Sequence, residues 1–172
     1  MTAKFNGFEI NPMHLGDAWK VCDFCVSNAD RLKRYFPKTL EQNLNPTLSQ
    51  LFVEKMVKQF EEKETFLFTL KHSETRELAG LIYIKELDWE TKQGEFAYCI
   101  GYTFEGQGLT SKAVKMLSKH AFTDLGLETL QIIAHKNNLS SVKVALKNDF
   151  KWVKTLINEF TPIGESPLDM EL

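Results

Sequence analysis

The sequence predicts a mixed α/β fold, a single domain over residues 1–172 whose partly parallel sheet is flanked by helices. Two observations indicate this class: apolar residues at helical spacing dominate the N-terminal third, and segments rich in aromatic and β-branched residues follow them. A third observation is the later succession of strand, helix and strand, which is typical of a sheet with parallel pairing. The length is that of one ordinary domain.

The N-terminal part is expected to contain a short strand at Phe8–Ile10 and two helices, within residues 14–36 and 46–64. Pro46 and Thr47 are start signals for the second helix. The predicted buried positions are Leu15, Ala18, Trp19, Cys22 and Val26 in the first helix, and Leu51, Val53, Met56, Val57 and Phe60 in the second.

Three strands and a strand–helix–strand unit are expected next. The segments "TFLFTLKH", "LAGLIYIKEL" and "GEFAYCIGYTF" are separated by polar breaks, which predicts an antiparallel meander. A helix follows from Leu109, with Gly126 as its stop signal. The remaining elements are a strand at "ETLQIIAHK", a helix at "NLSSVKVALKND", and strands at "FKWVKTLINEFTPIG" and "PLDMEL".

Composition excludes several classes of protein. The formal net charge of -2 provides no basic surface for nucleic acid. The N-terminus lacks the apolar core of a signal peptide, and no apolar run approaches the ~20 residues of a membrane span. Three cysteines without a pairing framework indicate a reducing, cytoplasmic location. Cys22 and Cys25 are interpreted as helix-face cysteines, and no metal site is predicted.

Gly106 and Gly108 directly precede the predicted helix at Leu109. The first turn of a helix carries unpaired N–H groups and partial positive charge, and glycines allow a ligand to approach closely. This arrangement is typical of a phosphate site, although a simple tight turn explains the glycines equally well. The lysine of a P-loop is absent, and Ser111 stands where a dinucleotide fingerprint needs its third glycine.

The stretch "GEFAYCIGYTFEGQGLTSKAV" resembles the central strand, pyrophosphate loop and helix of the GNAT superfamily of N-acetyltransferases, in particular its RimJ/RimL-type branch. A second block, "NLSSVKVALKNDF", is similar to the N-x-x-S-x-x-V helix of that branch. Together the blocks imply a splayed mixed sheet flanked by helices. Thr103, Lys112 and Asp149 depart from the family pattern, the last at a turn where aspartate tolerates left-handed backbone.

The resemblance implies acetyl-CoA as cosubstrate. Its pyrophosphate would bind the loop amides, and its pantetheine arm would pair with the preceding strand near Ile100, Gly101 and Tyr102. Asn138, besides capping the following helix, would bond a pantetheine amide. The loop amides in question belong to Gln107, Gly108, Leu109, Thr110 and Ser111.

Glu95 and Ser141 are the candidate catalytic residues. Glu95 lies on the strand before the loop and would act as the general base, directly or through water. The alternatives are that Glu95 is a cross-strand charge or that His135 is the base. Ser141, which stands at the third position of the helix that Asn138 caps, would face the thioester sulfur.

The expected acceptor is an amine, with a protein or peptide N-terminus favoured. An α-amine has a pKa of about 7.7–8.0 against about 10.4 for lysine, a gap of roughly 2.5 units, so a single modest base suits it better. The acids Asp17, Asp23 and Asp30 are candidates for attracting the cation, although such charges more often form a solvated face. The alternatives are a small-molecule amine acetyltransferase, a non-catalytic acyl-CoA sensor and an interaction domain, and the prediction allows a homodimer.

Overall fold

The computed structural model describes residues 2–172, and over these residues the chain forms eight strands and six α-helices, with 3-10 turns at Leu15–Asp17 and Tyr102–Phe104. The strands are β1 (Ala3–Phe5), β2 (Phe8–Pro12), β3 (Phe66–His72), β4 (Leu78–Asp88), β5 (Gln93–Ile100), β6 (Thr129–Ile132), β7 (Thr155–Phe160) and β8 (Leu168–Glu171). The helices are α1 (Ala18–Ser27), α2 (Ala29–Tyr35), α3 (Pro37–Glu41), α4 (Pro46–Glu61), α5 (Leu109–Thr123) and α6 (Leu139–Lys147).

Six strands form one sheet in the order β1-β2-β3-β4-β5-β6, and β7 pairs with β8 in a separate hairpin. All neighbours in the large sheet are antiparallel except β5 and β6, which are parallel. Their pairing extends only from Gln93–Thr129 to Phe96–Ile132, so β5 continues to Ile100 while β6 has already ended. The sheet therefore splays between these two strands, and the predicted fold class is confirmed.

The sheet separates two hydrophobic cores, because successive side chains of a strand point to opposite faces. On β3, Phe66, Phe68 and Leu70 belong to the core beneath α5, whereas Leu67 belongs to the core beneath α1 and α4. Packing on both faces leaves these four side chains at most 3% exposed. The layers hold the ends of β5 and β6 in place, and these ends line the cleft.

The first predicted helix is wrong as a single element. The chain instead bends at Asn28, between α1 and α2, and turns again at Phe36. The buried Asn28 side chain donates to the Phe24 carbonyl (2.8 Å) and accepts from the Tyr102 amide (2.9 Å). This tertiary bond stabilises a break that helical spacing cannot indicate.

The predicted inward positions are only partly confirmed, because the buried face of α1 runs through Ala18, Val21, Cys22 and Cys25. Ala18 and Cys22 are buried on α1, and Val53 and Met56 on α4. Val57 and Phe60 are half-buried. The predictions for the remaining four residues are wrong, since they are more than half exposed: Leu15, Trp19, Val26 and Leu51.

The later elements match the prediction with shorter bounds. β5 ends at Ile100, because residues 102–104 form a 3-10 turn before the glycines. The chain also has a strand that was not predicted, β1, which pairs with β2 at the sheet edge. Among the described helices, none has both the length and the apolar character needed to cross a membrane.

Candidate active site

Two adjoining cavities occupy the cleft where β5 and β6 separate. The narrow cavity, about 450 Å³, lies between α2, the end of β5, the glycine loop and α6. The wide cavity, about 820 Å³, lies between α2–α3, the second half of β4, the middle of β5, residues 131–135 and β7. The residues that line both cavities are Tyr35, Phe36, Tyr98, Asn138 and Ser141.

The glycine loop leads into α5 in a left-handed conformation. Gly106 has φ +77° and Gly108 has φ +73°, values that L side chains rarely adopt. A Cβ at either position would meet nothing within 4 Å, so backbone conformation rather than crowding explains the glycines. Gly108 is the N-cap residue of α5.

The amides at the start of α5 are available to a ligand. The hydrogen-bonded turns of α5 begin at Lys112, whose N–H donates to the Gly108 carbonyl at 3.1 Å. Within the described part of the chain, the N–H groups of residues 106–111 have no acceptor. Unpaired amides at a helix N-terminus, together with the helix dipole, favour an anion.

The structure brings most of the predicted cofactor residues together at the narrow cavity. Those that line it are Ile100, Gly108, Leu109, Thr110, Ser111 and Asn138. Gly101, Tyr102 and Gln107 lie outside its lining. The Gly101 amide donates to the Ala79 carbonyl (2.8 Å), and the Tyr102 amide donates to Asn28. These two amides are therefore engaged within the protein.

Along the free edge of β5, only every second residue has its backbone N–H and C=O groups available to a ligand. In an antiparallel pair, hydrogen-bonding groups of successive residues point to opposite sides. The Gly101 amide donates to the carbonyl of Ala79 in β4, so the backbone groups of Tyr98 and Ile100 point away from β4, toward the cleft. Tyr98 is thus a candidate site residue that sequence reasoning missed, although its alternation with Phe96 and Ile100 carried the signal.

The start of α6 forms the boundary between the two cavities. The Asn138 side chain accepts from the Ser141 amide at 3.3 Å, which confirms the predicted cap. The Tyr98 hydroxyl donates to the Ser141 carbonyl at 3.2 Å. Burial raises the pKa of the Tyr98 phenol to about 12, partly offset by its hydrogen bonding to Ser141. Tyr98 is therefore neutral throughout the physiological range.

Glu95 and His135 both line the wide cavity and are both buried. The Glu95 carboxylate lies 2.6 Å from the Lys85 ammonium, its cross-strand neighbour. The His135 Nδ1 lies 3.4 Å from the Tyr35 hydroxyl. Each candidate base thus has one polar partner and a face on the cavity.

The acids expected to attract a cationic amine lie elsewhere. Asp17 is buried in an ion pair with Lys71 (2.5 Å), and Asp30 pairs with Lys33 on the exposed side of α2. None of Asp17, Asp23 and Asp30 lines either cavity, so that expectation is wrong. The charged residues of the wide cavity are Lys38, Lys85, Glu86, Glu95 and Glu159.

Arg31 and Glu105 are a second feature that sequence reasoning missed. The Arg31 guanidinium donates to both oxygens of the Glu105 carboxylate, each at 2.7 Å, across the narrow cavity. The hydrogen bond from Arg31 lowers the pKa of the Glu105 carboxyl. The two residues are 74 positions apart, a separation at which neither helical nor strand spacing provides a signal.

Over the described residues, no three side chains of His, Cys, Asp or Glu cluster in a way that could hold a metal ion. The three cysteines, Cys22, Cys25 and Cys99, are free, and burial raises the pKa of the Cys25 thiol. Cys22 and Cys25 face the core from α1, as the helix-face interpretation predicted.

A family model described as an acetyltransferase (GNAT) domain matches residues 8–151. The spermidine N(1)-acetyltransferase of Escherichia coli K12 is 31% identical over 89 residues, which cover 52% of this chain and 48% of that protein. The chain thus matches about half the length of this relative.

Solved structures share the fold along nearly the whole chain. The ribosomal-protein-S5-alanine acetyltransferase from Vibrio fischeri superposes with a TM-score of 0.93 at 15% identity, over 99% of this chain and 93% of that one. RimL, a ribosomal L7/L12 α-N-protein acetyltransferase in complex with coenzyme A, superposes with a TM-score of 0.90 at 15% identity, over 99% and 95%.

Proposed function

Since the chain belongs to the GNAT acetyltransferase family, we propose that it is an enzyme that transfers the acetyl group of acetyl-CoA to an amine. The observation that carries this proposal is the meeting of two cavities at Tyr98, Asn138 and Ser141. One cavity presents free amides at a helix start, and the other presents a buried carboxylate. A donor and an acceptor can therefore enter from different sides and meet in the middle.

The narrow cavity suits the phosphates and pantetheine arm of acetyl-CoA. The free amides of residues 107–111 bind pyrophosphate oxygens, and the nearby ammonium groups of Lys143 and Lys147 complement their charge. The exposed backbone groups of Tyr98 and Ile100 pair with the amides of the arm, as an added strand would. Asn138 contributes its side-chain amide beside the arm.

The chemistry requires that the amine lose a proton and that the sulfur gain one. The amine nitrogen forms a bond to the acetyl carbon while the carbon–sulfur bond breaks, and the electron pair leaves with the sulfur. Glu95 accepts the proton from the amine, directly or through a water molecule. Ser141, at the boundary of the cavities, donates a hydrogen bond to the departing sulfur, and the thiolate then takes its proton from solvent. His135 with Tyr35 is the alternative base.

We propose the α-amine of a protein or peptide as the acceptor. The wide cavity is open and about 820 Å³ in volume, enough for the first residues of a chain. Its acids are interspersed with the ammonium groups of Lys38 and Lys85, an arrangement that opposes a polycation. The lower pKa of an α-amine also reduces the demand on a single base.

A small polyamine is the second candidate. It is favoured by the three carboxylates of the wide cavity, Glu86, Glu95 and Glu159, and by the likeness to a spermidine acetyltransferase. Lys85 pairs with both Glu95 (2.6 Å) and Glu86 (3.9 Å), so among the described residues of this cavity Glu159 is the one carboxylate without an ion-pair partner.

The test is thiol release from acetyl-CoA in the presence of single acceptors. The panel contains a peptide with a free N-terminus, the same peptide with a blocked N-terminus and an internal lysine, and spermidine. Release with the free peptide alone, and a mass gain on its first residue, supports the proposal. Release with spermidine alone selects the second candidate. Coenzyme A binding without release with any acceptor would indicate a sensor and contradict the enzymatic proposal.

A further inference from the structure

Arg31 and Glu105 face each other across the narrow cavity, and this pair is unlike the other surface ion pairs of the molecule. It is bidentate, with both bonds at 2.7 Å, and the Arg31 side chain is only 21% exposed. The guanidinium also lies over the Tyr102 ring, 5.1 Å from its centroid. The pair links α2 to the residue directly before Gly106.

The charges around the pair are arranged for an anion, with one exception. The cations that line the narrow cavity are Arg31, Lys143 and Lys147, and Glu105 is the one acid among the described lining residues. The free amides of residues 107–111 add further positive potential. The Glu105 carboxylate repels a polyanionic ligand unless its side chain rotates away from Arg31.

Glu105 is free to leave, whereas Arg31 is held. The Glu105 side chain is 47% exposed, and Arg31 is its one polar partner among the described residues. The Arg31 guanidinium keeps its contact with the Tyr102 ring when the carboxylate moves away. A phosphate presents oxygens to the planar guanidinium fork in the same geometry as a carboxylate.

We propose that Arg31 is a further cofactor-binding residue and that Glu105 is its internal competitor. In the free enzyme the Glu105 carboxylate accepts both hydrogen bonds of the Arg31 guanidinium. When acetyl-CoA enters, a phosphate oxygen replaces the carboxylate and Glu105 turns to solvent. This inference rests on the proposed function, because it names a binding residue of the same site.

The exchange has a consequence that a structural ion pair would not have. Removing the Glu105 charge strengthens the binding of coenzyme A, while removing the Arg31 charge weakens it. If the pair served only to hold the loop in place, both changes would weaken binding. Opposite effects of the two substitutions on coenzyme A affinity therefore indicate that Glu105 competes with the ligand. Weaker binding with both substitutions indicates that the pair only holds the loop in place.

The experiment is calorimetric titration of the full chain with coenzyme A. We expect Glu105→Gln to lower the dissociation constant about threefold, the range of a partly exposed ion pair. We expect Arg31→Met to raise it roughly tenfold to a hundredfold, the range of charge-assisted hydrogen bonds. Arg31→Lys retains the charge without the fork, and its constant should fall between those of Arg31→Met and the parent.

Matched controls come from neighbouring pairs outside both cavities. Glu165→Gln removes a carboxylate that is 40% exposed and pairs with Arg34, which lies on α2 as Arg31 does. Lys33→Met removes a cation of α2 that pairs with Asp30. Neither should change the dissociation constant beyond error. S-acetylpantetheine, which lacks the phosphates, should have the same KM with Arg31→Met as with the parent.

Weaker binding in both Glu105→Gln and Arg31→Met would overturn the proposal, and so would unchanged binding in both. A rise in the S-acetylpantetheine KM with Arg31→Met would also overturn it, because the effect would then not concern phosphate. A parent protein that does not bind coenzyme A at all would remove the proposed function itself, and this inference with it.

Discussion

The Glu95 carboxylate lies 2.6 Å from the Lys85 ammonium, at the position where β4 and β5 place the two residues opposite each other. This contact confirms the cross-strand alternative for Glu95, and its role as general base stays a prediction. Glu95 is a cross-strand charge, and it also lines the wide cavity next to the splay of the sheet. Its catalytic role is therefore best tested against its role as the partner of Lys85.

We predict that Glu95→Gln lowers turnover at least tenfold near neutral pH, because general bases contribute ~10²–10⁴-fold. Coenzyme A binding should persist, since Glu95 lies outside the narrow cavity. Part of the lost rate should return at higher pH, where more of the amine is neutral. Initial rates from pH 6 to 10 and a binding titration provide the two measurements.

Two variants serve as comparisons for Glu95→Gln. Lys85→Met breaks the same ion pair from the other side, so a purely structural role predicts equal losses of melting temperature and equal, small losses of rate. Glu86→Gln removes a neighbouring carboxylate of the same cavity that is 71% exposed. Equal rates in Glu95→Gln and Lys85→Met would move the base to His135 or to water.

Acetyl-CoA should raise the melting temperature of the parent, and Gly108→Val should abolish most of that rise. A ligand at a hundred times its dissociation constant adds about 2.7 kcal/mol, which is roughly 5–10 °C for a domain of this size. Valine is strained at the φ of +73° of Gly108 and displaces the amides around it. Differential scanning fluorimetry with and without acetyl-CoA measures the shift.

Gly126→Val is the matched control for that loop. Gly126 has φ +74° and open space around its Cα, as Gly108 does, but it lies beyond the other end of α5. Both variants should lose a similar amount of intrinsic stability, about 1–2 kcal/mol. Only Gly126→Val should retain the full acetyl-CoA shift. A full shift in Gly108→Val would argue against the loop as the phosphate site.

Much of the fold was predictable because the signals for it are local. The turn from β5 through the glycines into α5, the Asn138 cap and the alternating strands all depend on residues within a few positions of each other. The turn at Asp149 adopts φ +61°, as the tolerance of aspartate for that region suggested. Local chemistry and tertiary structure agree at these places.

The missed features depend on contacts between distant segments. The break at Asn28 is stabilised by the Tyr102 amide, and Arg31 finds Glu105 only once α2 has packed beside the glycine loop. Trp19 is wrongly predicted as buried, because the buried face of α1 runs through Ala18, Val21, Cys22 and Cys25 and Trp19 lies beside that face. Such pairings follow from the assembled fold, and a single sequence carries no periodic trace of them.

Ser141→Ala should lower the rate by a smaller factor than Glu95→Gln, about twofold to tenfold, which is the value of one neutral hydrogen bond. The structure simplifies this test. The capping bond at the start of α6 runs from the Ser141 backbone amide to Asn138, so alanine retains it. We therefore expect an almost unchanged melting temperature. Asn138→Ala, in contrast, should lose about 1 kcal/mol of stability. Full turnover in Ser141→Ala would withdraw the catalytic role.

The Arg31–Glu105 pair should make the stability of the free enzyme depend on pH in one direction. The hydrogen bond from Arg31 lowers the pKa of Glu105 below its ordinary value of 4.5. Because the pKa of Glu105 is lower in the folded state than in the unfolded state, the pair stabilises the protein at pH values above the unfolded-state pKa. This stabilisation is lost as the pH falls through the folded-state pKa. We expect the melting temperature of the parent to exceed that of Glu105→Gln by about 1–3 °C near neutral pH.

That difference should vanish as the pH falls below 4.5, because the protonated carboxyl no longer forms an ion pair. Scanning calorimetry without ligand, from pH 7 to 3, follows the two melting temperatures. Glu74→Gln is the control, because Glu74 is exposed and has no ion pair over residues 2–172. It measures the effect of a Glu→Gln change alone on the melting temperature. A constant difference between the parent and Glu105→Gln down to pH 3 would mean that this ion pair does not stabilise the free enzyme. Since high salt screens exposed charges, the difference at neutral pH should also shrink in 1 M NaCl.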